Sequence, residues 1–161
     1  MYKIGLGLDS HKIKPRKSKN NKNLVLGGVE VSKDFYLVAD SDGDVMIHSL
    51  CNAFSTALGG GSFDTWAGPL FKRGITDSRD YLKAILKKVK DRGFEIVNVA
   101  IMVEAGRPRL EGFREKIQGN LASLLGIEKE NVGLAFTTGE NLTVFGEGKG
   151  IQVFSTVLLR K

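Results

Sequence analysis

The first stretch able to do chemistry is "GLGLDSH", residues 5 to 11, where Asp9 and His11 stand two apart at the end of an otherwise apolar strand-like run. Side chains at i and i+2 of a strand project from one face, so a carboxylate and an imidazole can point together there. The chain holds 2 histidines in 161 residues, and the other, His48, falls in a helical segment. Asp, His and His form a sensible ligand set for zinc or a similar borderline divalent ion, leaving a fourth position open. An open position suits a site that handles substrate rather than a structural ion. Asp-x-His alone also has a plainer reading, with His11 capping a strand end and His48 exposed on its helix.

Two further stretches bear on that choice. "ASDGD" just ahead of His48 puts Ser41, Asp42 and Asp44 at a helix start, where backbone amides are free. Ordinary helix capping would explain it equally well. "FTTGEN" (Phe136 to Asn141) runs a strand into two hydroxyls, a glycine and a carboxylate. Thr137 and Thr138 could hold phosphate oxygens, and Glu140 is a hard-ion ligand suited to magnesium or manganese. By itself that hexapeptide reads as a turn. The single cysteine, Cys51, excludes an internal disulfide and a multi-cysteine zinc site, and reads as a helix residue.

These residues need elements to position them. Tyr2 to Asp9 alternates Ile4, Leu6 and Leu8 against glycines, the period of a strand. Asn23 to Val31 gives two short β-rich pieces around Gly27-Gly28, a hairpin pattern. A helix is predicted from Asp42 to Leu58, with Ser41 and Asp44 as a capping-box-like start and Gly59-Gly60 as its stop. Its apolar stripe is Met46, Leu50, Ala53, Phe54, Ala57 and Leu58, while His48, Asn52 and Ser55 share the opposite face. A Gly-rich loop, "GGGSFDTWAGP", carries the only tryptophan, Trp66.

A second helix opens at Asp77 or Ser78 and ends at Gly93, and a third runs from Phe113 to Gly126. Strands are expected at Glu95 to Glu104, Val132 to Thr138 and Gly150 to Arg160. The order β–β–β–α–α–β–α–β–β predicts an α/β fold of the α+β two-layer kind, one mixed sheet with helices packed on one face. One domain over residues 1–161 is the expectation, without linker or repeat.

Hydrophobic residues make up 42% and charged ones 26%, an ordinary globular composition. No apolar run approaches the roughly 18 residues that span a bilayer, and Met1 leads straight into a strand. A cytoplasmic (bacterial) or organelle-matrix setting is expected, with no membrane partner. The net charge of +6 favours an anionic partner. Much of the excess lies in "KIKPRKSKNNK" (Lys12 to Lys22) and "LKKVKDR" (Leu86 to Arg92), neither of which interleaves aromatics. They read as a solvated loop and a solvated helix face rather than a base-stacking platform, so nucleic acid is not expected.

Taken in order, these stretches resemble the 2-C-methyl-D-erythritol 2,4-cyclodiphosphate synthase family of the non-mevalonate isoprenoid pathway. The family's G-x-G-x-D-x-H strand appears as "GLGLDSH", its hairpin as "LGGVEV" and its A-H-S-D-G-D-x-x-x-H helix start as "ADSDGDVMIH". Its D-S-R helix opening is Asp77-Ser78-Arg79, and its N-V-D…A-x-x-P-K stretch is "NVAIMVEAGRPR". Its T-T-x-E-x-L and closing G-x-G-x-G-I are "TTGENL" and "GEGKGI". The match is collinear over almost the whole chain.

The resemblance implies a homotrimer with active sites at the subunit interfaces. It also implies a CMP-releasing phosphorus–oxygen lyase that acts on a cytidine-diphosphate-linked small molecule. The substrate's 2-phosphate would attack the β-phosphorus of its own CDP group, closing a cyclic diphosphate. By the same resemblance Asp9, His11 and His48 would hold zinc, and Glu140 magnesium or manganese. Thr137, Thr138 and the loop carrying Ala105, Pro108, Arg109 and Leu110 would hold the cytidine and its phosphates, and Ser41 the phosphate of the methylerythritol half. Thr138 and Asp40 fall at catalytic positions. Phosphoryl transfer needs positioning and charge neutralisation more than a protein nucleophile, which suits this inventory.

Several positions depart from the family. Asp40 stands where it has a histidine, Asn52 where it has an aspartate, and Arg109 where it has a lysine. Ser62 replaces an aspartate expected to bind ribose, for which Asp64 could partly substitute. Ala135 replaces a lysine and Glu147 an arginine. These departures admit two other readings, a relative with an altered substrate or a non-catalytic, metal-stabilised trimeric binding protein.

Overall fold

The computed structural model describes residues 1–18 and 22–161, so part of the basic Lys12 to Lys22 run lies outside the described residues. Among the described residues, seven strands and four α-helices follow the chain in order. They are β1 (Tyr2–Pro15), β2 (Leu24–Leu26), β3 (Val29–Ser32), β4 (Phe35–Leu37), α1 (Val45–Ala57), α2 (Phe63–Lys72), α3 (Ser78–Asp91), β5 (Glu95–Glu104), α4 (Arg114–Leu125), β6 (Val132–Thr137) and β7 (Gly150–Arg160). The main sheet has the order β4-β1-β7-β5-β6, and β2 and β3 form a separate two-stranded sheet. Only β5 and β6 are parallel, joined through α4, as a parallel pair requires. This is the mixed sheet with a helical layer that the pattern of elements predicts.

The sequence reading needs four corrections. First, β1 does not end near Asp9: it runs on to Pro15, and Ile13 to Pro15 pair with β4, so Asp9 and His11 lie within the strand. Second, β4 is a strand of three residues, too short to show a period. Third, the Gly-rich segment is a loop only as far as Ser62, after which Phe63–Lys72 is helical. Gly68-Pro69 signals a break, yet Phe63, Trp66, Ala67 and Leu70 recur at helical spacing and all pack on the core, which outweighs the signal. Fourth, the cap of α1 is Asp44, whose side chain accepts from Ile47 N at 3.1 Å, and not Ser41.

Asp44 also ties the hairpin to the helix. Gly27 and Gly28 both have positive φ, 57° and 75°, the two-residue turn that matches strand twist. Their amides point to Asp44, at 2.9 Å on Oδ1 and 2.6 Å on Oδ2. A carboxylate that is fully buried is thereby satisfied by three backbone donors.

The alternation in β1 has an unexpected polarity. Gly5, Gly7, Asp9 and His11 face the helical layer, whereas Ile4, Leu6 and Leu8 project from the other face and are exposed. A Cβ on Gly5 would lie 1.9 Å from the Ala53 carbonyl, and one on Gly7 2.0 Å from that of Ser49. Strand and helix are therefore in backbone contact. The exposed face continues across the sheet, because Leu8 pairs with Phe154, Phe154 with Met102 and Met102 with Ala135. Ile4, Leu6, Leu8, Met102 and Phe154 are between 42% and 76% exposed and make this sheet face an apolar surface.

Gly7→Ala is expected to cost about 1–3 kcal/mol, since helix and strand must separate to admit the methyl. Gly119→Ala, in α4 with nothing within 4 Å of the new methyl, should instead stabilise by about 0.5–1 kcal/mol. Urea unfolding of both variants checks the contrast. Burial pushes the Asp44 carboxyl up to about 6, against the pull of the Gly28, Ile47 and Gly27 amides. Its proton is thus held more tightly in the folded chain. The group's contribution to stability is full below about pH 4 and is lost as pH rises through about 6. Asp44→Asn should flatten that part of the stability–pH profile.

Candidate functional site

Backbone contact between β1 and α1 sets Asp9 and His11 against His48. Asp9 Oδ2 lies 3.1 Å from His48 Nδ1 and 3.3 Å from His11 Nε2, and the two imidazole nitrogens are 3.2 Å apart. A tetrahedral ion with bonds of about 2.0–2.1 Å has ligand–ligand edges of about 3.3 Å. The three donor atoms therefore match one face of such a tetrahedron and leave its fourth corner open. No other group of three or more potential ligands of this type occurs among the described residues.

His48 is buried, at 4% exposure, which corrects the expectation of an exposed imidazole on a polar helix face. The reason is α2, in a segment whose glycines predict a loop. Phe63 stacks on the His48 ring with centroids 4.6 Å apart, and Trp66 and Tyr81 meet Phe63 edge-on. The same helical face also buries Ser55, whose hydroxyl donates to the Gly61 carbonyl at 2.6 Å. Burial pushes the His11 imidazole below its ordinary value, opposed by the neighbouring Asp9 carboxylate. A neutral ring is the form that binds metal.

The triad opens into a cavity of about 380 Å³, lined also by Asp40, Ser41, Asn52, Ser62, Phe63 and Asp64. No lysine or arginine lines it among the described residues, although the protein carries a net charge of +6. The cation recorded at its wall is Lys22, whose ammonium donates to the Ser41 carbonyl. An anion in this cavity would meet Asp9, Asp40 and Asp64, so it needs bound cations to offset them.

Thr137, Thr138, Ala105, Pro108, Arg109 and Leu110 line a second recess of about 340 Å³. The structure thus divides the site residues of the sequence reading into two groups. Glu140 lies beside the second group, in a left-handed conformation (φ 48°), with Thr138 Oγ1 3.4 Å from its carboxylate. Ala135 belongs to neither group, since it sits on the exposed sheet face, and Glu147 pairs with Lys149.

The YgbB family pattern matches residues 2–160. The chain belongs to that family. A relative named 2-C-methyl-D-erythritol 2,4-cyclodiphosphate synthase, from Chlamydia muridarum, is 37% identical over 155 residues, 96% of this chain and 85% of the relative. One of the same name from Aquifex aeolicus is 37% identical over 166 residues, 99% of this chain and 97% of its own. Among solved structures, IspF of Plasmodium falciparum in a CDP complex superposes with a TM-score of 0.83 at 31% identity, covering 98% of this chain and 95% of that one.

Against that family background, Asn52 acquires a physical reason. Its amide donates to the Leu8 carbonyl at 3.0 Å and accepts from Phe63 N at 2.7 Å. It therefore joins β1, α1 and the start of α2. A carboxylate could accept from Phe63 but could not donate to Leu8. Ser78, which meets His48 Nε2 at 2.8 Å, and Asp42, which bonds Ser78, carried no site role in the sequence reading. Their only signal was the D-S-R motif and the S-D-G-D helix start.

Asn52→Asp is expected to destabilise the chain by about 1–3 kcal/mol, because two acceptors then face each other at Leu8. Asn52→Gln would test reach rather than charge. Thermal melts, with the fluorescence of the single tryptophan, Trp66, reporting α2, check the ranking of wild type above both variants.

Proposed function

We propose that this chain is a 2-C-methyl-D-erythritol 2,4-cyclodiphosphate synthase. It converts 4-diphosphocytidyl-2-C-methyl-D-erythritol 2-phosphate to the 2,4-cyclodiphosphate and CMP. In that reaction an oxygen of the 2-phosphate forms a bond to the β-phosphorus. The bond from that phosphorus to the bridging oxygen breaks, and CMP departs with the electron pair. The observation that carries the reading is the ligand triad at 3.1–3.3 Å spacing, at the floor of a cavity, in a chain of this family.

Asp9, His11 and His48 would hold zinc or a similar divalent ion, and Glu140 magnesium or manganese. Bound there, such ions polarise the diphosphate and offset its charge. The chain's own residues would then position it. Ser41 Oγ accepts from Gly43 N at 3.2 Å, so its proton remains to donate to a phosphate oxygen in the cavity. Asp40, Ser62 and Asp64, on the wall of that cavity, would bound the methylerythritol and ribose portions. Arg109, Thr137 and Thr138 would meet the cytidine end in the second recess, beside Ala105, Pro108 and Leu110, with Thr138 facing the reacting phosphates.

The two recesses are separate in one subunit, and the exposed sheet face is apolar. Both support a homotrimer in which the substrate spans a subunit interface, each subunit contributing one domain over residues 1–161. The added carboxylate at Asp40 favours a second reading, a relative with an altered substrate or a binding protein without turnover.

Incubation with the cytidylylated substrate, zinc and magnesium should release CMP. Chelation or His48→Ala should reduce release to background, since two ligands hold the ion poorly. Metal binding without CMP release would favour the second reading, and full activity in His48→Ala would end the first.

A further inference from the structure

The side of His48 turned away from the triad is held by a relay whose proton directions the geometry determines. His48 Nε2 lies 2.8 Å from Ser78 Oγ. That hydroxyl is also in hydrogen bond with Asp42 Oδ1, and Ser78 N donates to Asp42 Oδ2 at 3.0 Å. Asp44 N adds a further donor to Asp42 Oδ1, at 3.2 Å. As a carboxylate, Asp42 can only accept. The one proton of Ser78 is therefore committed to Asp42, and only the lone pairs of Ser78 remain for His48.

Nε2 must then carry the hydrogen, since two lone pairs would otherwise meet at 2.8 Å. An imidazole protonated on Nε2 has its free lone pair on Nδ1, the atom that faces Asp9 and His11. The one opposing pull comes from the Asp9 carboxylate, which at 3.1 Å favours a hydrogen on Nδ1 until an ion takes its place. Ser41 Oγ, 3.4 Å from Nε2, is a more distant second acceptor for the same hydrogen. Ser78 is fully buried, so water does not compete with it.

We propose that Ser78 and Asp42 are positioning residues that hold the His48 ring in place and bias it, against the pull of Asp9, toward its metal-binding tautomer. This rests on the triad being a metal site, and it gives the D-S-R and S-D-G-D motifs one shared task. The two motifs come from different elements, the start of α3 and the approach to α1. The relay also couples them mechanically, because Asp42 N donates to the Thr76 carbonyl at 2.9 Å. Loss of outer partners of this kind commonly lowers metal affinity about 10- to 100-fold.

The test measures two quantities on the whole protein, the zinc dissociation constant by chelator competition and the His48 tautomer by long-range proton–nitrogen NMR without metal. Wild type should bind zinc and show His48 protonated on Nε2. Ser78→Ala, which keeps the helix start, should weaken zinc about 10- to 100-fold. It should also shift the metal-free ring toward the form protonated on Nδ1, which Asp9 favours. Asp42→Asn should go further in the tautomer readout. An amide can donate to Ser78, which can then donate to Nε2 and leave the hydrogen on Nδ1. Unchanged tautomer and affinity in both variants would overturn the relay. If wild type itself binds no zinc, the metal reading falls instead, and the tautomer spectra of the three proteins alone decide the relay.

Discussion

The structure depends on one close approach, the seating of β1 directly on α1. With carbonyls of Ala53 and Ser49 occupying the space where Cβ atoms of Gly5 and Gly7 would be, strand and helix have no side-chain layer between them. Successive residues on that face of the strand then fall at fixed steps along the helix, first the two glycines, then Asp9 and His11. The distance from β1 to the His48 ring is thereby set by backbone geometry and not by packing of flexible side chains. Spacings of 3.1–3.3 Å among the three donor atoms follow from that placement.

Such an approach sacrifices apolar burial at the contact, and polar bonds replace it. Most of β1 pairs on one side only, with β7, since β4 reaches only Ile13 to Pro15. Thr56 and Asn52, one turn apart on α1, serve the other edge. Thr56 Oγ1 bonds both Leu6 N (3.1 Å) and Leu6 O (2.8 Å), and Asn52 donates to Leu8 O. An edge that would otherwise invite another strand is closed by the helix that carries His48. Ser49 completes the seam, donating to Gly7 O at 3.2 Å and Ser155 Oγ at 2.8 Å.

What the sequence made legible was whatever rests on local periodicity. The hairpin at Gly27-Gly28, the helices around Leu50, Ile85 and Leu121, and the shared face of Asp9 and His11 all follow from periods of 2 or 3.6. The burial of His48 was not legible, because it depends on α2, whose Gly68-Pro69 pair signals a break that long-range packing of Phe63 and Trp66 overrides. Asp44 was misread as the far member of a capping box because its other partners, the Gly27 and Gly28 amides, lie on a distant element. Thr137, Thr138 and the Ala105 to Leu110 loop were linked only through the family resemblance. No period relates them, and they meet because β5 and β6 lie side by side and in parallel.

The departures from the family pattern are not independent once placed in space. Asp40, Asn52 and Ser62 line one cavity, whereas Ala135 and Glu147 lie outside it. Relative to that pattern, Asp40 adds a carboxylate where a histidine stood, while Asn52 and Ser62 each remove one. These three exchanges together leave the cavity one carboxylate fewer than the pattern. At Asn52 the exchange also gains a donor for β1, which a carboxylate at that position would lack. On the proposed function, a cavity lined by no lysine or arginine among the described residues, with Lys22 turned to the Ser41 carbonyl, would meet a diphosphate with bound cations and neutral donors. This makes the triad, and the hydroxyl of Ser41 beside it, more important to anion binding here than in a cavity with a cationic side chain of its own.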